Sequence, residues 1–326
     1  MSTHILNGTM CYVSSFAYSI ASSHFTYTRT FKNMNHKGVL IVARHGARRD
    51  YEMRNEGENW VSTNDRPHDP PLSEEGFEQA IALGDKIQGL LAENGLGDCK
   101  VSCVYSSPLL RCVQTANGAI SRLNELYRSN HEMEEDDSSS ASIKLRIEHG
   151  LVESLSLNWY SSWCLPGSDS SWGFYQKLPG EKFTWDEKSL KSDDDGCWNV
   201  HELATRGATE LFLPFESLSH IIGDGQRLTI DYEYTSLFNL EDKRYRWGNF
   251  ETRKNDAVRM GMVARTLLNK HPGETILLVS HGGPTTHLYA ELTGCDFDSA
   301  PLCRYTGTSL YINKGDGMIE NLVVNV

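Results

Sequence analysis

Arg44-His45-Gly46-Ala47-Arg48 sets an imidazole and two guanidinium groups within five residues. A neutral imidazole so placed can attack a phosphoryl group. Each arginine offers a rigid, permanently charged donor fork to phosphate oxygens. Nearby positive charge also lowers a histidine pKa and keeps the attacking nitrogen unprotonated. The segment follows directly on the apolar run Gly38-Val39-Leu40-Ile41-Val42-Ala43, which reads as a buried strand. The reactive residues therefore fall at a strand's C-terminal end, the edge at which open α/β sheets bind ligands.

Alternating signals along the rest of the chain predict the α/β core that would hold them. After a polar loop, Ser73 caps a helix with Glu74 and Glu75 in its first turn, running to about Glu93. A strand over Lys100–Tyr105 follows, and Pro108 starts a helix that carries Arg111, Gln114 and Thr115 toward about Leu126. Residues 131–142 are acidic, then serine-rich, and read as a solvated loop before a strand over Ile143–Ile147. A helix from about Thr252 to Lys270 leads into strand Thr275–Val279, Pro284 opens another helix, and strands over Ser309–Ile312 and Ile319–Val324 close the chain. Between about 155 and 247 the alternation breaks down. That stretch holds Trp159, Trp163, Trp172, Trp185, Trp198 and Trp247 and the run Asp193-Asp194-Asp195, and reads as an insertion covering the core.

Composition bounds the function classes. With 326 residues, 39% hydrophobic and 23% charged, the chain is an ordinary globular sequence with enough length for one large core or two modest ones. A net charge of −12 argues against nucleic-acid binding. A protein this acidic that handles phosphate must concentrate arginines locally, and Arg44, Arg48, Arg49, Arg54, Arg66 and Arg111 are placed to do so. The eight cysteines are scattered without a Cys-x-x-Cys pair, which reads as reduced thiols, mostly buried. No apolar run approaches the ~20 residues of a membrane span. The mildly apolar residues 10–22 are broken by serines and lack a basic flank, so no secretory signal is expected. Only Arg29 lies in the first forty residues, too few for a transit peptide, and cytoplasm is the expected location.

Five motifs occur in one order: Arg44-His45-Gly46-x-Arg48, Asp69-x-Pro71-Leu72-Ser73-x-x-Gly76, Ser106-Ser107-Pro108-x-x-Arg111-Cys112-x-Gln114-Thr115-Ala116, Glu148-x-Gly150-Leu151-x-Glu153, and Ser280-His281-Gly282. In this the chain resembles the histidine phosphatase (phosphoglycerate-mutase-like) superfamily, most closely the branch of the suppressor of T-cell receptor signalling and ecdysteroid-phosphate phosphatases. The resemblance implies a three-layer α/β sandwich, a mostly parallel central sheet flanked by helices, with an inserted cap region. It implies an N-terminal tail over 1–37 and a phosphatase domain over 38–326 with the insertion at about 155–247. Carried over residue by residue, it makes His45 the nucleophile that holds a phosphohistidine. Arg44, Arg48 and Arg111 become the phosphate-binding residues, His281 a hydrogen-bond donor to the same group, and Glu153 the general acid and base. Asp69 to Leu72 would be structural.

A lone His or Arg at a strand end is ordinarily a structural residue. Five ordered motifs, each at an expected strand end or helix start, outweigh that reading. Glu148 stands close enough to compete with Glu153, and motif spacing favours Glu153. His287 follows His281 by six residues, which suits no common two-histidine metal spacing on a helix. Neither metal nor cofactor is expected. Ala47 stands where the branch often has Glu, and Gly283-Pro284 replaces its usual polar residues. The expected reaction is hydrolysis of a phosphomonoester, preferring aryl or bulky apolar esters such as phosphotyrosine or a steroid phosphate. The alternatives are a mutase-type phosphotransferase, against which Ala47-Arg48 counts, and a catalytically weak phospho-ligand binder. Expected partners are a phosphorylated small molecule or phosphoprotein as substrate, no nucleic acid and no membrane, with a homodimer left open.

Overall fold

A computed structural model describes residues 36–64, 69–129, 143–154, 230–238 and 251–326. The elements in chain order are β1 (Val39–Arg44), α1 (Arg49–Asn55), α2 (Trp60–Thr63), α3 (Glu74–Glu93), β2 (Val101–Ser106), α4 (Leu110–Ser129) and β3 (Leu145–Ile147). A short 3-10 turn over His149–Leu151 follows. Then come α5 (Arg253–Lys270), β4 (Thr275–Ser280), α6 (Gly282–Thr293), β5 (Thr308–Gly315) and β6 (Met318–Val323). The strands form one sheet in the order β3-β2-β4-β1-β5-β6. From β3 to β1 the pairings are parallel, and β5 and β6 are antiparallel. The expected α/β class with a mostly parallel sheet is the fold observed.

The pleat of the strands explains the layers. Val39, Ile41 and Ala43 of β1 join Leu277, Val279 and Leu310 on one face, packed under Leu83, Ile87 and Leu91 of α3 and Val113, Ala116 and Leu123 of α4. Leu40 and Val42 point the other way, with Ile276, Leu278 and Tyr311, under Met260, Val263, Ala264 and Leu267 of α5 and Leu288 of α6. A run apolar at every position is what a strand covered on both faces requires. On α3 the buried Leu83, Ile87 and Leu91 recur every fourth residue, and burying each such side chain is worth about 1.5–3 kcal/mol.

The strands and long helices lie within a few residues of the expected ones, with four differences of physical interest. The stretch read as a polar loop contains α1 and α2. They carry too little apolar periodicity to be seen, and α1 is supported instead by acids in its first turn and by the Arg49–Glu52 pair one turn apart. Helix α4 begins at Leu110, two residues after Pro108, because the Asp69 carboxylate accepts from the Leu110 N–H at 2.7 Å. Pro284 is the third residue of α6, which starts at Gly282 in the turn where a missing N–H is tolerated. Residues 230–238, inside the stretch read as an insertion, pack into the core: Ile230 pairs with Leu145, and Phe238 is buried. The six tryptophans, the Asp193–Asp195 run, the 131–142 loop and the N-terminal tail lie outside the described residues, apart from 36 and 37 of the tail. No described helix is long and apolar enough to cross a membrane.

Candidate active site

Three parallel strands end at the same level. Arg44 of β1 lies beside Ser280 of β4, and Ser106 of β2 beside Val279. The first residues beyond these ends, His45, His281 and Ser107, are therefore delivered to one edge of the sheet. The ladder continues briefly past them: the His45 N–H donates to the Ser280 carbonyl and the Ser107 N–H to the Val279 carbonyl, both at 3.0 Å. The two imidazoles meet edge to face with ring centroids 5.3 Å apart, and both are buried.

The surroundings fix the protonation of His45. Its Nδ1 lies 2.7 Å from the Gly46 carbonyl, which can only accept, so the proton sits on Nδ1. The Nε2 lone pair is left free toward the arginines and accepts from Arg111 Nε at 3.3 Å. Burial first, then the charges of Arg111, Arg44 and Arg48, hold its pKa well below the ordinary 6.5, against a small opposing pull from Gly46. His281 is depressed in the same way, by burial first and then by Arg111. Its Nε2 is 2.8 Å from Ser107 Oγ and 3.4 Å from Cys112 Sγ, and its Nδ1 is 3.6 Å from Glu153 Oε2. Both histidines are neutral and buried among cations.

Each arginine is held differently. Arg111, in the first turn of α4, is fully buried, with its terminal nitrogens 3.9 Å from Asp69 and from Glu153. Arg48 is gripped by Asp50 through two bonds, Nε to Oδ1 at 2.9 Å and Nη2 to Oδ2 at 2.7 Å, and lies over the Tyr51 ring. Such a fork-to-fork pair fixes the guanidinium plane. Arg44 donates to the Cys303 carbonyl at 2.8 Å and stacks on Tyr305 at 4.3 Å. Its Nε is a buried donor with no hydrogen-bond partner among the described residues.

The two glutamates separate clearly. Glu148 is fully buried and accepts from the N–H groups of Gly150, Leu237 and Phe238, and from the hydroxyls of Tyr234 and Ser236. It is a structural carboxylate that ties residues 236–238 to the end of β3. Glu153 sits at the site instead, near Arg111 and His281. Desolvation raises its pKa above the ordinary carboxylate value; Arg111 and the Ser154 N–H oppose this, and the Asp256 charge assists it. Arg259 sets the loop's position by donating to the Gly150 carbonyl at 2.6 Å and the Val152 carbonyl at 3.1 Å. It is itself held by Glu251 at 2.8 Å and Asp256 at 2.7 Å. Asp256 in turn accepts from Ser154 and bonds His287 Nδ1.

The loop after β1 is shaped by the remaining motif residues. The Gly46 N–H donates to Thr115 Oγ1 at 3.0 Å, the Ala47 N–H to Gln79 Oε1 at 2.8 Å, and the Leu72 N–H to Gln114 Oε1 at 2.8 Å. Ser73 caps α3 by accepting from the Gly76 N–H at 3.1 Å. Gly76 is required by proximity, since a Cβ there would lie 2.1 Å from the Ala47 carbonyl oxygen.

Thus Arg44, His45, Arg48, Arg111, Glu153 and His281, singled out from the sequence, are brought to one end of the sheet. His287 is bonded through Nδ1 to Asp256. The sequence reading missed Asp50, Ser107, Cys112, Tyr305 and the Glu251–Arg259–Asp256 cluster. Ser107 and Cys112 carried a signal by lying inside a motif, and Asp50 a weaker one by its charge two residues from Arg48.

The family model described as "Histidine phosphatase superfamily (branch 1)" matches residues 40–139 and 228–322. No curated protein matches the chain. Similar solved structures include the ecdysone phosphate phosphatase of Bombix mori, in complex with tungstate, at 14% identity and TM-score 0.47, covering 88% of this chain and 92% of that one. A mycobacterial glucosyl-3-phosphoglycerate phosphatase with VO3 has 16% identity and TM-score 0.45, covering 88% and 99%. A phosphoserine phosphatase mutant of Entamoeba histolytica, in complex with phosphoserine, has 17% identity and TM-score 0.41, covering 88% and 96%.

Proposed function

The chain belongs to the histidine phosphatase superfamily, and from that premise we propose that it hydrolyses phosphomonoesters through a phosphohistidine on His45. The observation that carries the reading is the state of His45, a buried neutral imidazole whose Nδ1 is occupied by the Gly46 carbonyl and whose Nε2 faces Arg111. In the first step Nε2 forms a bond to phosphorus as the bond to the ester oxygen breaks. Arg44, Arg48 and Arg111 take the charge of the equatorial oxygens, already oriented by Cys303, Asp50 and Asp69 respectively. Glu153, whose raised pKa favours its acid form, gives its proton to the leaving oxygen. In the second step the Glu153 carboxylate takes a proton from water as the water oxygen attacks phosphorus and the P–N bond breaks. Neutral His281 donates a hydrogen bond to the phosphoryl group in both steps.

For the leaving group the reading is an aryl or bulky apolar alcohol. A cavity of about 470 Å³ adjoins Arg44 and the start of α6, and its lining includes Phe297, Ala300 and Leu302 as well as Arg253 and His287. That volume suits a single small molecule. Each additional methylene-sized group seated in an apolar pocket is worth only about 1–3 kcal/mol, so a preference rather than exclusivity is expected.

The test is a panel of aryl, steroid, sugar and peptide phosphates assayed with wild type and His45→Ala. The proposal expects hydrolysis by wild type alone, with kcat/KM highest for aryl or steroid esters. A folded His45→Ala protein that turns over would overturn the mechanism. A sugar phosphate or phosphoglycerate as best substrate would overturn the leaving-group reading.

A further inference from the structure

At the opposite end of the sheet from His45, a second cluster has no part in phosphoryl transfer. Cys103, His271 and Glu274 each place one potential metal ligand within 4.8 Å of the other two, the one such group of three among the described residues. Glu274 immediately precedes β4, and His45 and His281 lie past the far ends of β1 and β4. At about 3.3 Å per residue the six-residue β4 separates the two sites by roughly 20 Å.

Three elements converge to make the cluster. His271 is the C-cap of α5, with its N–H on the Leu267 carbonyl. Glu274 follows three residues later, at the start of β4. Cys103 comes from β2, where the register against β4 shifts between Val101 and Cys103. Such an irregularity re-aims side chains, and here it sets both Ser102 Oγ, at 2.7 Å, and Cys103 Sγ, at 3.2 Å, on Glu274 Oε2. Cys103 Sγ is 3.4 Å from His271 Nδ1, which is 3.2 Å from Glu274 Oε1. Tetrahedral zinc, with bonds of about 2.3 Å to sulfur and about 2.0–2.1 Å to nitrogen and oxygen, needs donor separations of about 3.3–3.6 Å.

We propose that Cys103, His271 and Glu274 form a zinc site that clamps the starts of β2 and β4 to the end of α5, with water as fourth ligand. The donor set selects the metal, since a thiolate and an imidazole suit zinc and disfavour magnesium and calcium. The outer contacts are those of a metal-bound histidine. With Nδ1 on the ion, the Nε2–H donates to Tyr105 Oη, 2.7 Å away, which fixes the tautomer. The charges close. The Cys103 thiol gives its proton to solvent as the S–Zn bond forms, so thiolate, carboxylate and Zn²⁺ sum to zero. Arg146, 3.3 Å from Sγ, donates to the sulfur while its own charge is held by Asp231 at 2.8 Å.

The full-length protein, stripped with chelator and dialysed, is titrated with Co²⁺ as a spectroscopic stand-in, and then with Zn²⁺. Wild type should take up one equivalent with a thiolate-to-cobalt charge-transfer band and the intense visible bands of four-coordinate cobalt, all displaced by zinc. Cys103→Ala should lose the charge-transfer band. His271→Ala and Glu274→Gln should weaken cobalt binding on the order of tenfold or more. All three should keep wild-type phosphatase activity. The Glu274 side chain is 43% exposed, so its variant folds even if the buried Cys103 variant does not. No charge-transfer band in wild type, its persistence in Cys103→Ala, or unchanged affinity in Glu274→Gln would overturn the site.

Discussion

Removing His45 should make the protein less sensitive to acid. In the unfolded chain an imidazole titrates near 6.5, whereas His45 and His281 are held well below that in the folded protein. Between the two values the unfolded chain binds more protons than the native one. Stability is therefore fully present above 6.5 and is lost as pH falls. While it stays unprotonated in the folded protein, each buried imidazole lowers stability by up to about 1.4 kcal/mol for every pH unit below 6.5. His36 and His149 are shifted the same way and contribute equally to wild type and variant. Urea unfolding of wild type and His45→Asn across pH 5–8 reads the difference. Below pH 6.5 the stability of the variant should fall with a shallower slope than that of wild type, the slopes differing by up to about 1.4 kcal/mol per pH unit. Superimposable pH dependences would show that His45 is not held neutral by burial and the arginines, and the account of the nucleophile would fail.

Four further outcomes are expected. In single-turnover measurements of phosphoryl transfer to His45, Glu153→Gln should slow alkyl phosphates far more than nitrophenyl phosphate, whose leaving oxygen needs little protonation, and should abolish the decline of that step for alkyl phosphates above the raised Glu153 pKa; equal losses and unchanged profiles would assign Glu153 to binding. Arg259→Met leaves Glu251 and Asp256 buried without their cation, and should cost about 3–5 kcal/mol in urea unfolding; a loss below about 1 kcal/mol would refute the role of this cluster in holding the Glu153 loop. Gly76→Ala forces the Ala47 carbonyl away from α3, so activity should fall with the displaced loop, and crystallography should show the shift; a wild-type rate would contradict the close approach. Initial rates should survive chelator, because the arginines already supply fixed positive charge, and vanadate should inhibit. Loss on chelation restored by one divalent ion would contradict that.

The parts of the molecule that the sequence displayed are those governed by short-range rules. The run from Val39 to Ala43 reads as a strand covered on both faces, and Ser73 with two following acids as a helix start, and both are observed. The six site residues were legible because each lies in a motif, Arg44, His45, His281 and Arg111 at a strand end or first helical turn and Arg48 and Glu153 in the loops that follow. The choice of Glu153 over Glu148 rested on spacing, and its physical reason is that five donors consume Glu148, two of them from Tyr234 and Ser236 far along the chain. Contacts of that range leave no local trace. Arg259 lies on an otherwise ordinary amphipathic helix and Tyr305 in a loop, so neither declared itself. Asp50, two residues from Arg48, could have been suspected from its charge alone, but the bidentate grip depends on α1, whose seven residues are too few for periodicity to reveal. Ala47 itself is held through its main chain, its N–H taken by Gln79 and its carbonyl accepting from the Ser73 N–H.

The most direct test of the central claim is to quench the enzyme during turnover of a radiolabelled phosphomonoester and map the bound phosphate. The account predicts acid-labile, base-stable phosphate on the peptide containing His45, absent from His45→Ala and accumulating when Glu153→Gln slows hydrolysis of the intermediate. A turning-over enzyme with no such phosphate, or phosphate on any other residue, would contradict it.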